Sequence, residues 1–143
     1  MGGVIVKARS FGIVLLFVVL VASCSSCTSK YTCDWSSVES IRIITLNEYL
    51  TGQYMYDFDV LCEIKNEEIK DFVKQLNKID CSINRGEPLL LNSGYTVVMI
   101  DYKNGDFDLL HYSAQWLKRA DNVRYGFYYF DEIQFTALVS SYL

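Results

Sequence analysis

His111 is the only histidine in a chain of 143 residues, and it bounds the acid–base chemistry open to this protein. In a Ser–His or Cys–His mechanism an imidazole draws the proton from a hydroxyl or thiol while a third group orients the ring. No G-x-S-x-G turn occurs, so catalysis here would pair His111 with a cysteine or an acidic side chain. The bland alternative is an imidazole at a sheet margin, bonded to backbone or water. The carboxylates of Asp101, Asp106 and Asp108 are hard oxygen ligands that suit Ca²⁺, but an EF-hand register would put Ile100, Tyr102 and Asn104 at the ligand positions before the glycine. A zinc site is not expected, because Cys27 and Cys33 lack ligand spacing and one histidine cannot complete the set. Neither a phosphate loop nor a dinucleotide fingerprint is present, so no metal and no cofactor is expected.

The cysteines other than Cys24 are Cys27, Cys33, Cys62 and Cys81. Four cysteines allow three full pairings, and sequence does not choose among them. A helix folded back on its strand would bring Cys62 and Cys81 together, closing a loop of eighteen residues; such a bridge contributes about 3 kcal/mol. Cys27 and Cys33 would then pair with each other. The competing reading makes Cys62 a small buried hydrophobe.

These residues must be positioned by elements with clear periodicity. Ile41 to Leu46 is β-rich but its apolar residues change parity midway, which predicts a bulge or two buried faces. From Tyr54 to Ile64 every even residue is apolar, a strand with one packed and one wet face. Asn66 is a candidate N-cap for a helix whose Ile69, Phe72, Val73 and Leu76 make an apolar stripe. Ser82 to Gly94 reads mostly as loop. In Tyr95 to Tyr112, Asn104-Gly105 predicts a two-residue type I′ hairpin in which Tyr102 faces Phe107, Ile100 faces Leu109 and Val98 faces His111. Asp101 would then meet Asp108 on the wet face. Ser113 to Arg124 is either a loop or a short strand, and Tyr125 to Phe130 is a strand. Asp131 and Gln134 fit a capping box for a last helix with the stripe Phe135, Leu138, Val139, Tyr142. The order β-β-α-β-β-(β)-β-α predicts an α+β fold, a mostly antiparallel sheet of four to six strands with two amphipathic helices on one face. Tyr125, Phe127 and Tyr129 share one strand face and, with Trp116, form a candidate binding surface. Alternatively one aromatic row enters the core and the Trp116 segment covers the other.

The start of the chain reads differently. Lys7 and Arg9 precede Phe11 to Ala22, twelve residues without a charge. As a helix these span about 18 Å, short of a bilayer core of about 30 Å and typical of a signal-peptide core. Val21-Ala22-Ser23-Cys24 then resembles the lipobox of bacterial lipoproteins. The resemblance implies diacylglycerol on the Cys24 sulfur, cleavage after Ser23, and attachment to a cell or outer membrane with the domain on the extracytoplasmic side. Ordinary secretion and an uncleaved anchor are the alternatives. The expected organisation is a signal peptide over 1–23, a flexible tether over 24–36 and one α+β domain over 37–143.

Without the first 23 residues, which hold Lys7 and Arg9 but no acid, eleven basic residues face 17 acidic ones, a formal charge of −6. That argues against a nucleic-acid partner, and it leaves acylation rather than electrostatics to hold a membrane. Two functions fit: a non-catalytic binding or accessory module for a protein or envelope polymer, or a small envelope hydrolase using His111.

Overall fold

The structure, a computed structural model, describes residues 30–50, 55–83, 90–120, 122–126 and 128–143, with the backbone alone at 48–50, 55–56 and 122–126. A 3₁₀ turn (Trp35–Ser37) leads into β1 (Val38–Leu50) and β2 (Met55–Glu63), followed by α1 (Ile69–Leu76) and β3 (Cys81–Ile83). Then come β4 (Thr96–Tyr102), β5 (Phe107–Leu110), β6 (Gln115–Arg119), β7 (Asn122–Gly126), β8 (Tyr128–Phe130) and α2 (Glu132–Ser140). Six strands form an antiparallel sheet in the order β2-β1-β4-β5-β6-β7, and β3 pairs with β8 in a small second sheet. The fold is α+β, as the element pattern predicts.

The parity change in β1 reflects two covered faces. Ile41 and Ile43 join the core between sheet and helices, whereas Ile44 and Leu46 join a second cluster on the opposite face, with Leu91, Val97, Met99, Leu109 and Trp116. All four stripe residues of α1 are buried, as are Phe135, Leu138 and Val139 of α2. Tyr142 meets Phe72 edge-on at 5.1 Å. The outer side of α2 is less polar than an amphipathic helix requires, since Ile133 is 81% exposed.

Several expectations need correction. The alternation along β2 does not define one packed face, because the strand is bulged. Ile43 pairs with Cys62 and Ile44 with Val60, so Leu61 is an extra residue that switches the side chains to the other face. Cys62 therefore packs against the helix-side core, Phe58 against the opposite cluster, and Val60 and Leu61 are half-exposed. Asn66 does not cap α1: residues 66–68 form a turn bonded to the Lys65 carbonyl, and the helix begins after Glu68. Asp131 does cap α2 by accepting from the Gln134 N–H (2.9 Å), but the Gln134 side chain bonds to Asp80 instead of closing the box. Ser82 and Ile83, at the start of the stretch read mostly as loop, belong to β3, and Ser113 to Arg124 holds β6 and the start of β7. Tyr125 to Phe130 is not one strand, because β7 ends at Gly126 in the large sheet and β8 begins at Tyr128 in the small one.

The hairpin between β4 and β5 is the most consequential correction. The Tyr102 carbonyl accepts from the Gly105 N–H (2.9 Å), and the Tyr102 N–H donates to the Asp106 carbonyl (2.9 Å). Lys103-Asn104-Gly105 is thus a three-residue loop in which Gly105 (φ +84°) but not Asn104 is left-handed, so it is not a type I′ turn. The Asn104 side chain supports the alternative, its Oδ1 accepting from the Asp106 N–H (3.1 Å). The register moves by one residue: Asp101 pairs with Phe107, Ile100 with Asp108, Met99 with Leu109 and Val98 with Leu110. Each β5 side chain changes face.

The folded unit also begins earlier than residue 37. Tyr31 and Cys33 belong to the main core cluster, and the Asn77 side chain clamps the Cys33 backbone, accepting its N–H (2.9 Å) and donating to its carbonyl (2.8 Å). The stretch before β1 is small and polar only up to Lys30.

Candidate functional site

The shifted register turns Asp108 inwards, where it has no exposed surface. A lone carboxylate in that position would cost many kcal/mol, so its partners decide whether the site is tolerable. Its Oδ2 accepts from Tyr31 Oη (2.8 Å), Tyr102 Oη (2.7 Å) and Arg119 Nη2 (3.0 Å), and its Oδ1 accepts from Arg119 Nη1. The paired guanidinium nitrogens match the two carboxylate oxygens, and the phenols fill the remaining lone pairs. Arg119 lies 5.1 Å over the Tyr102 ring and keeps 42% of its side chain exposed, so its charge retains contact with water. Burial, and after it the Asp108 charge, pushes the Tyr31 and Tyr102 phenols upward; the hydrogen bond to Asp108 raises Arg119. Cys33 Sγ is 3.6 Å from Tyr102 Oη, and burial raises its thiol too. A thiol held protonated in this way is a poor nucleophile. The cluster is a fully bonded structural hub joining the N-terminal segment to β4, β5 and β6.

The second feature lies at the other end of β5. Tyr95, just before β4, and His111 and Tyr112, just after β5, form a run of rings with centroids 4.3 and 4.1 Å apart at 17° and 36°. Opposite them α2 presents Phe135, Thr136, Val139 and Ser140, and the space between is an open cleft of about 430 Å³ completed by Gly94, Thr96 and Leu143. The turn is held by the buried Gln115 amide, which donates to the His111 carbonyl (3.1 Å) and accepts from the Tyr128 N–H (3.0 Å). His111 itself is only 8% exposed. Its Nδ1 accepts from the Ser113 N–H (3.3 Å) and lies 2.9 Å from Ser113 Oγ, which puts the proton of the neutral ring on Nε2. Burial lowers its pKa to about 4, so the ring is uncharged at neutral pH. At the rim, Glu132 beside Tyr112 raises that phenol.

The structure treats the sequence-derived candidates unevenly. Cys24 and Cys27 lie outside the described residues, as do Phe127 and the side chain of Tyr125. Trp116 is 2% exposed, edge-on to Phe107 at 5.9 Å, and so lies in the core rather than on a binding face. Tyr129 is half-buried and pairs with Ser82. Cys33, Cys62 and Cys81 are free thiols; β2 belongs to the large sheet and β3 to the small one, and the expected Cys62–Cys81 bridge is not formed. The His111 ring is bonded to Ser113, not to a cysteine or a carboxylate. Among the described residues no three metal-ligating side chains come together, and no helix is long and apolar enough to cross a membrane. Sequence reasoning missed Tyr31 and Arg119 at the hub and Tyr95, Tyr112, Thr136 and Ser140 at the cleft. The apolar pair Tyr31-x-Cys33 beside the polar run was the one available signal for the first group. No family model, no curated protein and no solved structure matches the chain.

Proposed function

We propose that this chain is a lipid-anchored, extracytoplasmic binding module, held at a membrane through Cys24 and using the cleft beside His111 as its binding site. The observation that carries the reading is the spacing between the lipobox and the folded unit. Tyr31, the first core residue among those described, follows Cys24 by seven positions, and the intervening Ser25 to Lys30 is small and polar. Fully extended, that link reaches about 25 Å, so a domain attached there stays close to the bilayer surface. Two or three acyl chains on one cysteine would hold it stably, without a basic surface. The cleft supports a binding role over a hydrolytic one, because a ring with pKa about 4 is a weak base at neutral pH and its bonded neighbour is the Ser113 of its own turn.

Mass spectrometry of the mature protein tests the anchor. The expected product begins at Cys24 and carries a thioether-linked diacylglycerol, and Cys24→Ala is expected to lose that modification and the membrane association that follows from it. An unmodified Cys24 thiol or an uncut leader on the mature wild-type chain would overturn the reading.

A further inference from the structure

The lining of the cleft is amphipathic: among the described residues the side chains that line it are uncharged, and the Glu132 carboxylate stands at its rim beside Tyr112. On the sheet side Tyr95, His111 and Tyr112 are stacked on one another, with the neutral imidazole in the middle and its faces covered by the two phenols. On the helix side two rows run in parallel. Phe135 and Val139 are four residues apart on one row, Thr136 and Ser140 on the next, so an apolar strip lies alongside a hydroxyl strip. Thr96 adds a third hydroxyl from β4. The volume, about 430 Å³, falls within the range of small-ligand sites.

This arrangement discriminates among ligand classes. An anionic ligand would lose water without gaining a counter-charge from the walls, and it would meet the Glu132 carboxylate at the rim. A purely aliphatic ligand would cover the hydroxyl strip without bonding to it. A pyranose ring has an apolar C–H face and a rim of hydroxyls, and it is uncharged. Its apolar face matches the Phe135–Val139 strip and the phenol rings at the two ends of the stack, while its rim can both donate to and accept from Thr96, Thr136 and Ser140. We infer that the cleft between α2 and the Tyr95–His111–Tyr112 stack binds one or more neutral sugar rings, as part of an envelope glycan or as a free saccharide. The inference rests on the cleft being the binding site of the module and names its ligand class.

The single histidine makes the test direct, since its ring C–H signals report on the cleft without overlap from another histidine. The full mature chain, in lipid nanodiscs and labelled in histidine, is titrated with maltose, cellobiose and N,N′-diacetylchitobiose, and with galacturonate and 1-heptanol as charged and aliphatic comparators. At least one neutral disaccharide is expected to shift the His111 signals saturably, with neither comparator doing so at the same concentration. Tyr95→Ala is expected to weaken that response about tenfold. Thr136→Val, on the exposed side of a helix and without effect on folding, is expected to weaken it about fivefold by removing one hydrogen bond. Comparing monomer with longer oligomer separates the two sources: affinity rising with chain length marks a polymer, and equal affinity marks a free sugar. A flat response to all three disaccharides, a stronger response to heptanol, or a sugar response untouched by both substitutions would each overturn the inference. An acylated Cys24 combined with a flat sugar titration would overturn the ligand class alone, whereas a sugar response from a chain lacking acylation would overturn the anchor alone.

Discussion

His111 should make the stability of this protein acid-sensitive in a window set by one ring. The side chain is 8% exposed and burial lowers its pKa to about 4, against about 6.5 in an unfolded chain. A depressed histidine pKa means that the folded state holds the neutral ring and resists the proton that the unfolded state accepts. The stabilisation is therefore fully present above pH 6.5 and is lost as pH falls through 4. With about 1.36 kcal/mol per pKa unit, the loss relative to pH 7.5 is about 1.4 kcal/mol at pH 5.5 and about 2.5 kcal/mol at pH 4.5. The carboxylates titrate in the same region, so the comparison must be with a variant that shares them. His111→Phe keeps a ring between Tyr95 and Tyr112 but gives up the acceptor for the Ser113 N–H, at about 1 kcal/mol near neutral pH. Urea unfolding of both proteins at pH 7.5, 5.5 and 4.5 should show wild type ahead at the first and the variant ahead at the last, a swing of about 2.5 kcal/mol. An NMR titration of the folded wild type reads the same quantity directly. A ring pKa above about 6, or parallel pH profiles for the two proteins, would refute the burial argument and restore His111 as a usable base at neutral pH.

The Asp108 hub and the hairpin give further outcomes. Asp108→Asn should cost about 3 kcal/mol, at the low end for a broken buried pair because Arg119 keeps part of its water. Tyr31→Phe alone should cost about 1.5 kcal/mol, and less in the Asp108→Asn background; strictly additive losses in denaturant unfolding would show that the phenol and carboxylate are not coupled. Gly105→Ala should cost about 1 kcal/mol through its φ of +84° alone, since a Cβ there meets nothing within 4 Å. A neutral substitution in thermal unfolding would mean that the three-residue loop is wrong.

The class of fold and both helices were readable because their signals are local. A stripe such as Ile69, Phe72, Val73, Leu76 needs only its own helix to be recognised, and burial follows once any sheet is present. Register was not local. Asn104-Gly105 is compatible with a two-residue or a three-residue loop, and the choice depends on the Asn104 side chain bonding to the Asp106 N–H and on Lys103 donating its N–H to the Ser37 carbonyl, far away in sequence. A slip of one residue then moved Asp108 from a wet face opposite Asp101 to the centre of the core opposite Ile100. The same holds for Leu61: unbroken alternation through β2 conceals a bulge that only the partner strand reveals. Of the cleft, His111 was conspicuous by its rarity. Tyr95, Thr136 and Ser140 come from other elements, and nothing in their own neighbourhoods marks them as its companions.

A buried carboxylate at the hub raises the question of why an apolar contact would not serve. Replacing an ion pair by packed hydrophobes is often neutral or stabilising, so stability alone does not account for Asp108 and Arg119. Their location offers a reason. The segment they hold is the entry of the chain into the fold, where Tyr31 and Cys33 pack against α1, β4 and β8. An apolar slot would accept Tyr31 at several depths and allow the segment to slide. A phenol that must reach one carboxylate oxygen at 2.8 Å, with the next turn of chain clamped at Cys33 by Asn77, has a single seating. If the chain is fastened to a bilayer at Cys24, any displacement of the domain pulls on this segment first. Fixing it by directional bonds defines the orientation of the domain relative to its tether, which a purely hydrophobic contact of equal strength would leave loose.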